Sequence, residues 1–279
     1  MTADLGKTFE LKRGTAPLLI SMPHAGTSLP PSIAGRLMDA ALRLPDTDWH
    51  LRRLYDFIDE LGASLIVANH SRYAIDLNRS PDGANLYPGQ DTTALCPVDT
   101  FDRQPLYREG QQPDAAEIQL RIERYWRPYH VALQSELGRL RERHTRVVLW
   151  DAHSIRSVLP RFFAGRLPDL NLGTAGGTAC DQGLAELLLR IAQGNRRYTA
   201  VLDGRFKGGY ITRRYGRPAE GVHAIQLELA QRTYMSEDYP YSFDEHLAAA
   251  LRPRLSEMLD AVLRWYGTTP GGDRGCEPA

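Results

Sequence analysis

The sequence predicts an α/β protein, a sandwich of helices packed around a mixed, mostly parallel sheet. Two observations carry this. Apolar runs of strand length alternate with longer segments of helical period, and several of the runs end in short Gly/Pro or polar loops that carry ionisable groups. No internal repeat and no shift in composition divides the 279 residues. A single domain over residues 1–268 is therefore expected, followed by a Gly/Pro-rich tail, 269–279, read as disordered.

The elements follow in chain order. Ala16 to Met22 is a short apolar run closed by Pro23, the pattern of a buried strand, and Pro23-His24-Ala25-Gly26-Thr27 after it is a loop. Asp46-Thr47-Asp48-Trp49 opens a helical pattern in which Leu51, Leu54, Tyr55, Ile58 and Leu61 recur, with Gly62 as the stop. Ser64 to Asn69 is a second strand, and the alternation from Ser71 to Arg79 predicts a further short one. Residues 80–112 read as a long surface or active-site loop. Asp114 to Arg143 is an amphipathic helix with a break expected at Pro128. Arg146 to Trp150 is a buried strand ending in Asp151-Ala152-His153-Ser154. A second long loop spans Pro160 to Cys180. A helix (Asp181 to Gln193), a strand (Tyr198 to Leu202), a turn-rich stretch from Gly208 to Thr212 and a last strand (His223 to Leu229) follow. A helix from about Phe243 to Tyr266 completes the pattern.

Composition narrows the function. Hydrophobic residues are 42% and charged residues 24% of the chain, enough apolar material to bury a large core. Lys plus Arg and Asp plus Glu both number 34, with no basic excess of the kind a nucleic-acid binder shows. The three cysteines, Cys96, Cys180 and Cys276, are too few and too scattered for a disulfide framework or a thiolate zinc site. The polar stretch from Met1 to Arg13 has no signal-like apolar region, and no apolar run approaches the ~20 residues of a membrane span. A cytoplasmic protein with neither nucleic-acid nor membrane partner is expected.

Ligands in open α/β sheets gather beyond the carboxyl ends of the strands. Three ionisable residues fall there: His24 after the first strand, His153 after the Trp150 strand and Glu228 at the end of the last. Asp46 and Asp48 reach the same place from the start of the first long helix. Two imidazoles and a carboxylate make a catalytic zinc set with one position open, and a further carboxylate can take a proton from water. Asp46 and Asp48 also suit a helix N-terminus, and His24 suits a turn cap. Glu228 has the weakest structural explanation, because an unpartnered carboxylate in an apolar strand is costly. Arg72, Asn78 and Arg79 place two guanidinium groups and an amide close together, a set suited to an acidic substrate, or alternatively to salt bridges with Asp76 or Asp82. Tyr210, Thr212, Arg213, Arg214 and Arg217 form a second polar cluster, either a lid or solvated surface. No nucleophile elbow, P-loop or dinucleotide fingerprint is present, and nothing marks Cys180 as a thiolate.

The segments Ser21 to Thr27, Asp46 to Trp49, Ser71 to Arg79, Asp151 to Ser154, Asp169 to Thr174, Gly208 to Thr212 and Gln226 to Leu229, in that order, resemble the N-formylglutamate amidohydrolases. The resemblance implies a three-layer αβα fold of the zinc-exopeptidase type and hydrolysis of N-formyl-L-glutamate to formate and glutamate, a closing step in one route of histidine degradation. It further implies one zinc ion per chain on His24, His153 and Asp46, with Asp48 as the second choice. Glu228 takes the place of the general base and Arg72 that of the group polarising the formyl oxygen. Asn78 and Arg79 match the Asn-Arg pair that holds a substrate carboxylate, and Tyr210, Thr212 and Arg213 are expected to complete the substrate site. Thr27 stands where related peptidases carry a ligand Glu. The same site acting on another N-acyl amino acid or small peptide, and a metal-free binding protein for acidic metabolites, are the competing expectations.

Overall fold

The computed structural model describes residues 7–84 and 89–267. Seven strands form one sheet: β1 (Phe9–Lys12), β2 (Leu18–Met22), β3 (Ser64–Ala68), β4 (Val147–Ile155), β5 (Leu170–Gly173), β6 (Ala200–Leu202) and β7 (Val222–Ala230). Their order is β1-β3-β2-β4-β7-β5-β6. The central strands β3, β2, β4 and β7 run parallel, β1 is antiparallel to β3, and β5 is antiparallel to β7.

Among the described residues seven α-helices accompany the sheet: α1 (Pro31–Ala34), α2 (Leu51–Leu54), α3 (Ala115–Arg121), α4 (Arg127–Arg141), α5 (Gln182–Gln193), α6 (Tyr210–Tyr215) and α7 (Glu245–Gly267). Side chains alternate across each strand, and β2 feeds both faces. Leu18 and Ile20 join Leu184 and Leu188 of α5 and Leu251 and Leu255 of α7. Leu19 faces the other way, with Tyr129, Leu133 and Leu140 of α4. The result is the expected three-layer αβα sandwich. Both faces of β2 and β4 are covered and all their residues are buried, which is why they read as unbroken apolar runs. Asp181 caps α5 by accepting from the Leu184 amide at 3.0 Å.

Several segments differ from the sequence reading. The pattern from Asp46 to Leu61 forms only the single turn α2 and a 3-10 stretch, Asp56–Leu61, ending at Gly62 with φ 62°. His50, at φ 62°, separates Asp46 and Asp48 from any helix, so neither acts as a helix cap. Ser71 to Arg79 is a series of turns, not a strand. Its apparent alternation disappears because Tyr73, Ala74, Ile75 and Leu77 are all buried. The loop expected from Pro160 to Cys180 contains β5, and the turn after Gly209 winds into α6. β1 escapes the sequence reading because it is only four residues long and two of them are charged. Between α3 and α4 lies a π-helical turn, Ile122–Trp126. It directly precedes Pro128, whose ring nitrogen cannot donate to the carbonyl four residues back.

Cys96 and Cys180 are buried free thiols, and burial pushes the Cys96 pKa up to about 11 and that of Cys180 up as well, so neither is a thiolate. Among the described residues no helix is long and apolar enough to cross a membrane. Residues 269–279, read from the sequence as a tail, lie outside the described residues.

Candidate active site

The site is assembled at the carboxyl ends of β2, β4 and β7. His24 lies two residues past β2. His153 and Glu228 lie inside β4 and β7, which extend further than their sequence signal, and are direct partners in the parallel register. Strand geometry alone thus brings an imidazole beside a carboxylate. The turn between α1 and α2 adds Asp48, whose amide donates to the His24 carbonyl at 3.1 Å. Gln231 holds that turn by donating to the Thr47 carbonyl at 2.9 Å.

His24, Asp48 and His153 are all buried, and each offers a ligand atom within 4.8 Å of the other two. The Asp48 Oδ2 lies 3.8 Å from His24 Nδ1 and 3.0 Å from His153 Nδ1. On the far side of each ring, His24 Nε2 meets Asp76 Oδ1 at 2.7 Å and His153 Nε2 meets Asp151 Oδ2 at 3.2 Å. A carboxylate behind each imidazole fixes the ring and aims Nδ1 inward, as carboxylates do behind metal-ligating histidines. Asp151 is itself held by the Ser21 hydroxyl at 3.0 Å, which lies 3.0 Å from the Tyr129 hydroxyl. Two imidazoles and one carboxylate converging from three directions fit a tetrahedral divalent cation with one position left open.

The carboxylate expected in this set was Asp46, with Asp48 as second choice; the group that converges here contains Asp48 and not Asp46. Asp46 Oδ2 accepts from the Tyr73 hydroxyl at 2.7 Å and from the Phe101 amide at 2.9 Å. Although only two residues apart in the turn, the two aspartates take different partners. Burial raises the Asp46 pKa to about 6, against the pull of Tyr73. Asp46 therefore anchors the 93–106 loop rather than reaching the histidines.

Charge in the site follows from burial. Desolvation and the Arg72 guanidinium hold His24 below its ordinary pKa, in the neutral form a ligand needs. Desolvation also opposes charge on His153, but Asp151 and Asp48 outweigh it and push its pKa well up. A second proton on His153 is thus the competitor of a cation at Nδ1. Burial raises Glu228 to about 8, with Asp48 adding to the effect and His153 opposing it. Asp76 goes the other way: burial is overcome by His24 and Arg72, which keep it ionised.

The segment Ser71–Arg79 forms the near wall. Arg72 donates to Asp76 Oδ2 at 2.6 Å, and its guanidinium lies over the Phe101 ring at 4.8 Å. Asp76 also accepts from the Asn78 amide at 2.8 Å. Both Asn78 and Arg79 line the cavity. The Asn78 carbonyl oxygen Oδ1 accepts from the Ile211 amide at 2.8 Å, and Arg79 donates to the Thr93 carbonyl at 3.2 Å. Tyr210, Thr212 and Arg213 do not line it. Tyr210 packs on Trp126 and His130 on the α4 side of the sheet, and Thr212 is buried beneath Gly208. Gly209, one residue earlier, does reach the cavity and donates to Gln226 Oε1 at 2.8 Å.

Residues absent from the sequence reading complete the lining: Asp91, Thr92, Phe101, Phe162, Arg205, Phe206 and Gln226 among them. All but Gln226, which lies in β7, come from loops without periodicity. The contact of Asp76 with His24 was not legible in the sequence, where Asp76 stood only as a possible partner of Arg72.

Comparison with known proteins agrees with this arrangement. The family model for N-formylglutamate amidohydrolase matches residues 16–235. The chain is 50% identical over 261 residues to an N-formylglutamate deformylase of Pseudomonas aeruginosa, covering 94% of this chain and 98% of that protein. A protein of the same name from Pseudomonas putida is 49% identical over 261 residues, covering 94% and 97%. The crystal structure of N-formylglutamate amidohydrolase from Ralstonia eutropha JMP134 superposes with a TM-score of 0.80 at 27% identity, covering 93% of this chain and 98% of that one. The chain belongs to the N-formylglutamate amidohydrolase family, a family of amide-bond hydrolases.

Proposed function

We propose that this enzyme hydrolyses N-formyl-L-glutamate to formate and L-glutamate with one zinc ion held by His24, Asp48 and His153. The observation that carries the reading is the convergence of these three side chains beside Glu228 in an arginine-lined cavity. A zinc ion there would polarise the formyl carbonyl and lower the pKa of water toward 7.

The remaining steps belong to the chain. Glu228, next to His153 across the β4–β7 pair, accepts a proton from the attacking water. Its raised pKa suits the return of that proton to the departing amine nitrogen. Arg72, fixed by Asp76 and by the Phe101 face, sets a positive charge where the formyl oxygen gains negative charge. Arg79 and Asn78 orient the α-carboxylate from the near wall. A cytoplasmic place and a step in histidine degradation are part of the same proposal; the names of the relatives support its substrate.

A panel of N-formyl and N-acetyl amino acids offered to zinc-loaded protein tests it. Preference for N-formyl-L-glutamate is the expected result, and equal turnover of N-acetyl compounds or small peptides would shift the assignment to a broader acylase. Full turnover in rigorously metal-free protein would remove the zinc from the reading. Glu228→Gln should keep zinc and lower kcat by about 10²–10⁴; unchanged kcat would remove the base.

A further inference from the structure

We infer that Gln226 is a positioning residue for Glu228: its side-chain amide holds one oxygen of that carboxylate and leaves the other to take a proton from water. This deepens the function proposed above and rests on its assignment of Glu228 as the base. Gln226 is buried and lines the cavity together with His24, Asp48, His153 and Glu228.

Strand register puts it there. Residues two apart on a strand share a face, so Gln226 and Glu228 project side by side from β7, opposite Asp151 and His153 on β4. Each strand carries one group of the site and, two residues earlier, the side chain that holds it. On β4 the pair is an imidazole on an acid, His153 Nε2 and Asp151 Oδ2 at 3.2 Å. On β7 it is a carboxylate on an amide, with Gln226 Nε2 donating to Glu228 Oε2 at 3.3 Å. Among the described residues no other hydrogen bond reaches the Glu228 carboxylate. An acid at position 226 would set two negative charges against each other, whereas an amide offers donor hydrogens without charge.

The direction of that amide is fixed. The Gly209 backbone amide donates to Gln226 Oε1 at 2.8 Å. A backbone N–H can only donate, so Oε1 faces Gly209 and Nε2 is left facing Glu228. The flipped amide would set N–H against N–H at one end and oxygen against carboxylate at the other.

Gly209 is in turn brought to Gln226 by the path of its own segment. Asp203 accepts from the Thr174 amide at 2.8 Å and the Thr174 hydroxyl at 2.5 Å. The chain then crosses close over β5, where Gly173 is the register partner of Gln226. A Cβ on Gly173 would stand 2.6 Å from the Gly208 nitrogen, so glycine there lets the 206–208 backbone pass.

The test is a double-mutant cycle on zinc-loaded enzyme with N-formyl-L-glutamate, using Gln226→Met, Glu228→Gln and the two combined. Glu228→Gln comes first: unchanged kcat there sinks the assignment of the base, before residue 226 is touched. Gln226→Met keeps the side-chain length and removes both hydrogen bonds. It should lower kcat by about 10–100-fold, with KM within about threefold and a full equivalent of zinc retained. In the Glu228→Gln background the same change should cost less than about threefold, because a residue that acts through Glu228 has no base left to hold. An equal fold-loss in both backgrounds marks a structural role, and a raised KM at unchanged kcat marks direct contact with substrate. Either overturns the inference, as does unchanged kcat and KM in Gln226→Met. Where Gln226→Met holds less than a full equivalent of zinc, Gln226→Asn, one methylene too short to span both partners, takes its place in the cycle under the same expectations.

Discussion

The rim of the sheet and the wall of turns facing it hold the same kinds of side chain by different means. At the rim, His153 and Glu228 are placed by strand register, and a strand residue has one position once its neighbours are paired. In the wall, Arg72, Asn78 and Arg79 sit on turns that no ladder holds. Asp76 does that work, accepting from Arg72, His24 and the Asn78 amide at once. The chemistry is therefore built on backbone, and the surrounding recognition on side-chain hydrogen bonds.

Five substitutions sharpen that contrast, the most severe among the side chains that converge on the two histidines. Asp48→Asn should lose the bound metal and lower activity by about 10³-fold or more, whereas Asp46→Asn should keep a full equivalent of metal; elemental analysis of both proteins checks it. The reverse result would restore Asp46 as the ligand.

Gly209→Ala strikes where wall and rim meet. A Cβ there would fall 2.3 Å from Asn78 Nδ2, so overpacking should cost about 1–3 kcal/mol and displace Asn78. Denaturant melts would show the loss, and an unshifted midpoint would mean the contact relaxes freely.

His130 supports the wall from behind, lying 2.8 Å from the Leu77 carbonyl and stacked on Trp126. Burial lowers its pKa to about 4. Between pH 6.5 and 4 the unfolded chain takes up a proton that the folded one refuses, so stability falls with falling pH, by about 1.4 kcal/mol per unit from this group. His130→Gln should flatten that slope in urea melts taken from pH 7 to 4. Above pH 6.5 the two slopes should agree. Tyr73→Phe, the mildest, removes one hydrogen bond to Asp46 and should lower stability by about 1–2 kcal/mol with little effect on kcat.

The same contrast explains what the sequence disclosed. Strands β2, β3, β4 and β7 and helices α5 and α7 announced themselves through apolar period, and with them His24, His153 and Glu228. Asp46 and Asp48 could not be separated, because two like residues two apart in a turn carry no periodic signal. The 71–79 segment was read as a strand since alternation was visible and the turns that bury both sets of side chains were not. Tyr210, Thr212 and Arg213 were placed one step too far along the chain, past Gly209 where the cavity ends. Arg205 had no signal at all, lying in a loop whose path depends on contacts with residues some thirty positions away.

Asp76 has a consequence for how such an enzyme diversifies. One carboxylate serves an imidazole and a guanidinium together, so a lineage cannot alter either in isolation without losing the other. Change is left to side chains that line the cavity without touching that shared acid, Arg205 and Phe206 among them. New diets for this lineage should be found there, written over an unchanged hearth.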